Sequence, residues 1–126
     1  MRRERIALWI CAALLLAVGA FGQDSPLPEL AGNWNAVLEV NGAKLHLVLR
    51  VAKAKAGYSA TLDSVDQGAL GLPIDTFHPE GKHLHFEMTQ LSAHYDGDWN
   101  SAAHRIEGRW VQGAVDLPLA WDKSDH

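Results

Sequence analysis

The sequence predicts an all-β fold, an eight-stranded antiparallel up-and-down barrel, with a partly open barrel or a β-sandwich as the alternatives. Two observations carry this. From Gly32 onward apolar residues recur with period two rather than 3.6, and the alternating runs are short, with turn-forming residues about every 8–12 positions. A third supports the meander: no stretch between the runs resembles a crossover helix.

Ahead of the strands, Arg2, Arg3 and Arg5 precede an apolar run from Ile6 to Phe21 that ends in the small-x-small exit Ala20-Phe21-Gly22. This is the pattern of a signal-peptide helix spanning 1–22, cut after Gly22. The apolar run of about 16 residues falls short of the ~20 a spanning helix needs. The expectation is an exported protein, periplasmic or extracellular, with no stable membrane insertion after cleavage. Residues 23–31 read as a short linker, 32–123 as the barrel domain and 124–126 as a tail.

Cleavage removes three positive charges and one negative, taking the formal net charge from −4 to −6. An acidic surface argues against nucleic acid and against anionic lipid. Cys11, the single cysteine, leaves with the leader. The exported domain therefore has to hold together by core burial without a disulfide.

The strands follow in order. Strand 1 (32–40) puts Trp34, Ala36, Leu38 and Val40 on one face; strand 2 (43–52) does so with Leu45, Leu47, Leu49 and Val51. Strand 3 (57–62) aligns Tyr58, Ala60 and Leu62, and strand 4 (69–77) aligns Leu70, Leu72 and Ile74. Strand 5 (82–89) aligns Leu84, Phe86 and Met88; strand 6 (94–99) aligns Tyr95, Gly97 and Trp99. Strand 7 (105–112) aligns Ile106, Gly108 and Trp110, and strand 8 (114–122) aligns Val115, Leu117, Leu119 and Trp121. Turns are expected at Asn41-Gly42, Ala54–Ala56, Pro79-Glu80-Gly81, Asn100–Ala103 and Gln112-Gly113. Asn41-Gly42 is the strongest of these, since both residues tolerate the positive φ of a type I′ hairpin. Pro73 and Pro118 lie inside predicted strands yet cannot donate to a ladder, which predicts a bulge or an open seam there.

The inward face mixes large and small side chains. A hairpin centred at Gln90–Ser92 would set Phe86 opposite Gly97 and Met88 opposite Tyr95, with Gly108 beside Tyr95. Two readings follow: large side chains lie over glycines in a filled core, or Ala36, Ala60, Gly97 and Gly108 leave space for one small ligand.

Alternate turns of a meander emerge at the same end, so one rim gathers Asn41, Asp63, Asp66, Gln67, Gln90 and Gln112. Such groups orient a polar ligand by hydrogen bonds where an apolar barrel does not. The alternative is that Asp63, Ser64 and Gly68 only form a turn. The candidate ligand-binding set is Asp63, Asp66 and Gln67 at the mouth, with Tyr58, Phe86, Tyr95, Trp99 and Trp110 inside. His83 and His85 share one face of strand 5 at a spacing that can chelate zinc. That face lies opposite Leu84 and Phe86, however, so a solvated polar surface is expected and no metal or cofactor. There is no G-x-S-x-G elbow and no cysteine outside the leader, so no catalytic residue is expected.

The Gly32-x-Trp34 opening followed by alternating strands resembles the lipocalin-like (calycin) pattern, in which the first-strand tryptophan plugs the closed end. That resemblance implies that Trp34 lies away from "DSVDQGA", leaving this loop at the open mouth. The series "GNWNAVLEVNGAKLHLVLRV", "YSATLDSVDQGALGLPID", "LHFEM", "YDGDW" and "IEGRWVQGAVDLPLAW" is similar to a small accessory β domain. That domain is found at the N-terminus of some secreted bacterial α/β-hydrolases of the serine-aminopeptidase type, and the strongest match is Leu62–Pro73. The hydrolase there follows the β domain and carries the triad. The present sequence ends at His126 after the last strand, so the resemblance implies the fold and not the hydrolase activity. Three functions are thus expected in order: binding of a small apolar or amphiphilic ligand, docking on a separately encoded secreted hydrolase, and a small enzyme using Asp63 or Asp66.

Overall fold

A computed structural model describes residues 25–124; the leader assigned to 1–22 lies outside the described residues. The chain forms one antiparallel sheet of nine strands, curled into a half-barrel, with sheet order β4-β3-β2-β1-β9-β8-β7-β6-β5. The strands are β1 (Gly32–Val40), β2 (Ala43–Ala54), β3 (Gly57–Ser64), β4 (Ala69–Pro73), β5 (Thr76–Glu80), β6 (His83–Met88), β7 (Ala93–Asn100), β8 (Arg105–Gln112) and β9 (Val115–Lys123). Single helical turns at Val65–Gln67 and Thr89–Leu91 lead into β4 and β7.

Nine strands replace the expected eight because the predicted fourth strand is two. Gly71 takes φ +67°, the β3–β4 register shifts between Leu62 and Ser64, and Pro73 has no N–H to continue the ladder. Beyond Pro73 the chain changes partner: Ile74 N–H still donates to Ala60 O on β3 (3.3 Å), while Asp75 N–H donates to Glu87 O on β6 (2.9 Å). β5 then runs through Pro79 and Glu80, placed in a turn by the sequence reading, and pairs Glu80 with His83. The two sheet edges therefore fall at the middle of the chain, while its first and last strands are neighbours. β1 and β9 share a ladder of only two pairs, Trp34 with Lys123 and Asn35 with Asp122; farther along β9, Pro118 has no N–H to offer.

The β6–β7 pairing differs from expectation by two residues. Met88 faces Ala93, Phe86 faces Tyr95 and Leu84 faces Gly97, because Thr89–Leu91 forms a helical turn that closes on Met88 and Ala93. A two-residue slip keeps every side chain on its face. On β8, Gly108 faces Gly97, and Trp110 faces Tyr95.

The core is packed with aromatics. Trp34, Phe86, Tyr95, Trp110 and Trp121 are all at most 2% exposed. Phe86 stacks on Tyr95 at 5.3 Å between centroids, and Trp121 meets Tyr95 edge-on at 6.1 Å. The Tyr95 hydroxyl donates to Leu119 O at 2.9 Å, which satisfies it in the interior. Its phenol occupies the space over Gly97, where an added Cβ would overlap the hydroxyl. The glycines of β7 and β8 therefore serve a filled core and leave no ligand space.

Candidate functional site

The turns after β1, β3, β6 and β8 surround a cavity of about 670 Å³, as their parity in a meander requires. Inward residues Leu38, Leu47, Leu62 and Leu72 form much of its wall, joined by Leu91 from the second helical turn and by Trp110. Four polar residues, Ser64, Gln67, Gln90 and Gln112, stand among them; among the described residues no charged side chain lines the cavity. The size and the apolar wall with few polar groups match small-molecule sites.

Two of these polar groups are internally fixed. The Ser64 hydroxyl donates to Gln67 Oε1 at 2.6 Å. The Trp110 indole N–H donates to Gln112 Oε1 at 3.1 Å; since an indole nitrogen only donates, it sets which end of that amide faces it.

Of the candidate ligand-binding set, Gln67 and Trp110 line this cavity and the others do not; of the wider rim, Gln90 and Gln112 line it as well. Asp63 follows the inward Leu62, so it points to the opposite face, where it is 4% exposed. Arg50 Nε donates to one of its oxygens and Gly71 N–H to the other, both at 2.7 Å. The Gly71 N–H, with Arg50, holds the carboxyl below its ordinary pKa against the opposing push of burial. Asp63 is thus the clamp of the β3–β4 bulge. Asp66 is exposed and accepts hydrogen bonds from the backbone N–H and ring Nδ1 of His46, which lower its pKa. Phe86 and Tyr95 belong to the filled core.

Tyr58 and Trp99 lie toward the other end. There the segment ahead of β1 crosses the barrel: Leu27 N–H donates to Gly81 O at 2.9 Å, Leu30 is buried, and the Trp34 indole donates to Leu30 O at 2.9 Å. Trp99 meets Trp34 edge-on at 6.4 Å. Lys123 of the last strand places Nζ 5.1 Å from the Trp34 ring centroid and donates to Glu29 O at 2.9 Å. Glu29 takes Lys53 at 2.9 Å and the Tyr58 hydroxyl at 2.9 Å. The Lys53 hydrogen bond foremost, then those of Ala31 N–H and Tyr58, draw its carboxyl down to about 2. This end is crossed by an ion-paired segment beside a groove of about 550 Å³ that Glu29, Trp34, Trp99 and Lys123 help to line, while the leucine-lined end opens into the larger cavity.

On the outer face of β6 and β7, both ring nitrogens of His83 and of His85 are engaged. His83 Nδ1 meets Asp98 at 2.8 Å and Nε2 meets Asp96 at 2.9 Å; His85 Nδ1 meets Asp96 at 2.8 Å and Nε2 meets Glu87 at 2.7 Å. Among the described residues no group of three or more His, Cys, Asp or Glu is arranged to hold a metal ion. A ring flanked on both sides by carboxylates must donate twice, which requires the imidazolium. Hydrogen bonds to Asp96 and Asp98 accordingly raise the His83 pKa, and the bond to Glu87 foremost raises that of His85. A raised folded pKa gives stability that is full below the unfolded value near 6.5 and is lost as pH climbs through the folded value. The urea midpoint is therefore expected to decrease as pH rises above about 6.5, and a His83→Asn, His85→Gln double variant to show a flatter profile over that range. An unchanged slope in the variant would refute this account.

Among the described residues no helix is long and apolar enough to cross a membrane. No protein-family model, curated protein or solved structure matches the chain. The site's chemistry is therefore read from its own residues.

Proposed function

We propose that the protein is a binding half-barrel that takes one small apolar or amphiphilic molecule into the leucine-lined mouth. The observation that carries this is a cavity of about 670 Å³ at one end of a domain whose other half is filled by aromatics. A 100-residue domain held by core burial has little reason to leave that much apolar wall uncovered, since each uncovered Å² forgoes ~25 cal/mol. Export to the periplasm or medium is part of the proposal and rests on the leader-like residues 1–22. Binding is expected to be lost when Leu45, half-buried in the cavity wall, is replaced by tryptophan, with the thermal midpoint within a few degrees of the parent. Titration of a lipophile library followed by tryptophan fluorescence checks this. Undiminished binding in Leu45→Trp would place the ligand elsewhere.

A second reading, docking on a separately encoded secreted hydrolase, is favoured by two exposed apolar side chains on the lip: Val65 is 51% and Leu70 68% exposed. Hydrolase capture that survives Leu45→Trp while ligand binding is absent from both proteins would favour this reading.

A further inference from the structure

We infer that the mouth selects uncharged ligands bearing a hydrogen-bond acceptor, such as an aliphatic ester or amide, over carboxylates and cations of the same chain length. The inference rests on the cavity being a binding site and specifies its chemistry.

At Gln112 the acceptor oxygen is already taken by the Trp110 indole, and at Gln67 by the Ser64 hydroxyl. Among the described residues neither Nε2 has a hydrogen-bonded protein acceptor, which leaves the N–H donors of both amides available at the mouth. Gln90 stands in the same rim. Two fixed donors over a leucine wall suit a carbonyl oxygen carried on an apolar body.

Charge decides against the other heads. Among the described residues no Lys, Arg or His lines the cavity, so a carboxylate drawn into it would lose hydration without gaining a counter-ion there, a costly transfer. The ionised Asp66 adjoins Gln67 and adds repulsion. Among the described residues a quaternary ammonium finds no lining carboxylate, and the Gln67 and Gln112 oxygens that would face it already accept hydrogen bonds.

The test is calorimetric titration of the purified protein with methyl decanoate, decanamide, decanoate and decyltrimethylammonium at neutral pH, with side-chain amide resonances of Gln67 and Gln112 followed by NMR. The ester and amide are expected to bind at least about tenfold more tightly than either ion and to shift both amide signals. A Gln112→Leu variant, which keeps the apolar volume, is expected to bring the four affinities together. Equal affinities in the parent, or binding without amide shifts, would overturn the head-group inference and leave the cavity reading intact. No binding of any member would overturn both.

Discussion

A chain carrying Gly108→Ala is expected to yield no cooperatively folded protein. Gly108 faces Gly97 across the β7–β8 ladder. A Cβ on Gly108 would overlap the Asp96 carbonyl and the Gly97 Cα. Ordinary overpacking costs about 1–3 kcal/mol because side chains give way. Here the obstacles are backbone atoms of the neighbouring strand, and relief means separating β7 from β8 in the middle of the sheet. Against the ~5–15 kcal/mol available to a domain of this kind, that loss is most or all of the stability. Gly113→Ala is the internal comparison: it has φ +59° but nothing within 4 Å of the added Cβ, so it should cost only about 1 kcal/mol of backbone strain. Urea denaturation of the two variants side by side checks this. Gly108→Ala within about 1 kcal/mol of the parent would mean that the strand spacing is softer than the packing implies.

The contrast between these glycines shows what alternation in a sequence conveys. Period two assigns a face, and Gly97 and Gly108 were correctly inward. It does not assign depth or register, so their confrontation across one ladder was not visible; it follows from the β7–β8 turn, which closes on Asn100 and Arg105 and sets Tyr95 opposite Trp110 and Gly97 opposite Gly108. Strand number failed for a related reason. Pro73 signalled trouble in strand 4, but the change of partner at Ile74 and Asp75 is a tertiary event, set by which edge lies within reach. The common rim of the β1, β3, β6 and β8 turns did follow from topology alone. Depth again separates the predicted lining residues: Phe86, Tyr95 and Trp99 all face inward, yet two are core and one lies at the opposite end beside Trp34. The leucines of β1 to β3 share the inward face in the pattern, and period two does not separate a leucine that lines a mouth from one that fills a core.

Asp63 poses the remaining question, since a carboxylate in a loop rim invites a functional role and parity puts it on the other face. Asp63→Ala is expected to lower stability by about 2–3 kcal/mol without changing ligand affinity in the folded fraction. Removing one member of a buried ion pair costs about 3–5 kcal/mol when the survivor is stranded. Arg50 is 53% exposed and regains water, which reduces the figure; the Gly71 N–H at the bulge loses its acceptor outright. Asp63→Asn retains an oxygen for Gly71 and should lose about half as much. The acid limb supplies an independent readout. A folded pKa below the unfolded one gives stability present above the unfolded value near 3.9 and lost as pH falls through the folded value. The parent should therefore weaken from about pH 5 downward more steeply than Asp63→Ala, measured by urea midpoints across that range. Parental stability combined with lost binding in Asp63→Ala would instead return this carboxylate to the site, against the geometry that turns it away from the leucine-lined mouth.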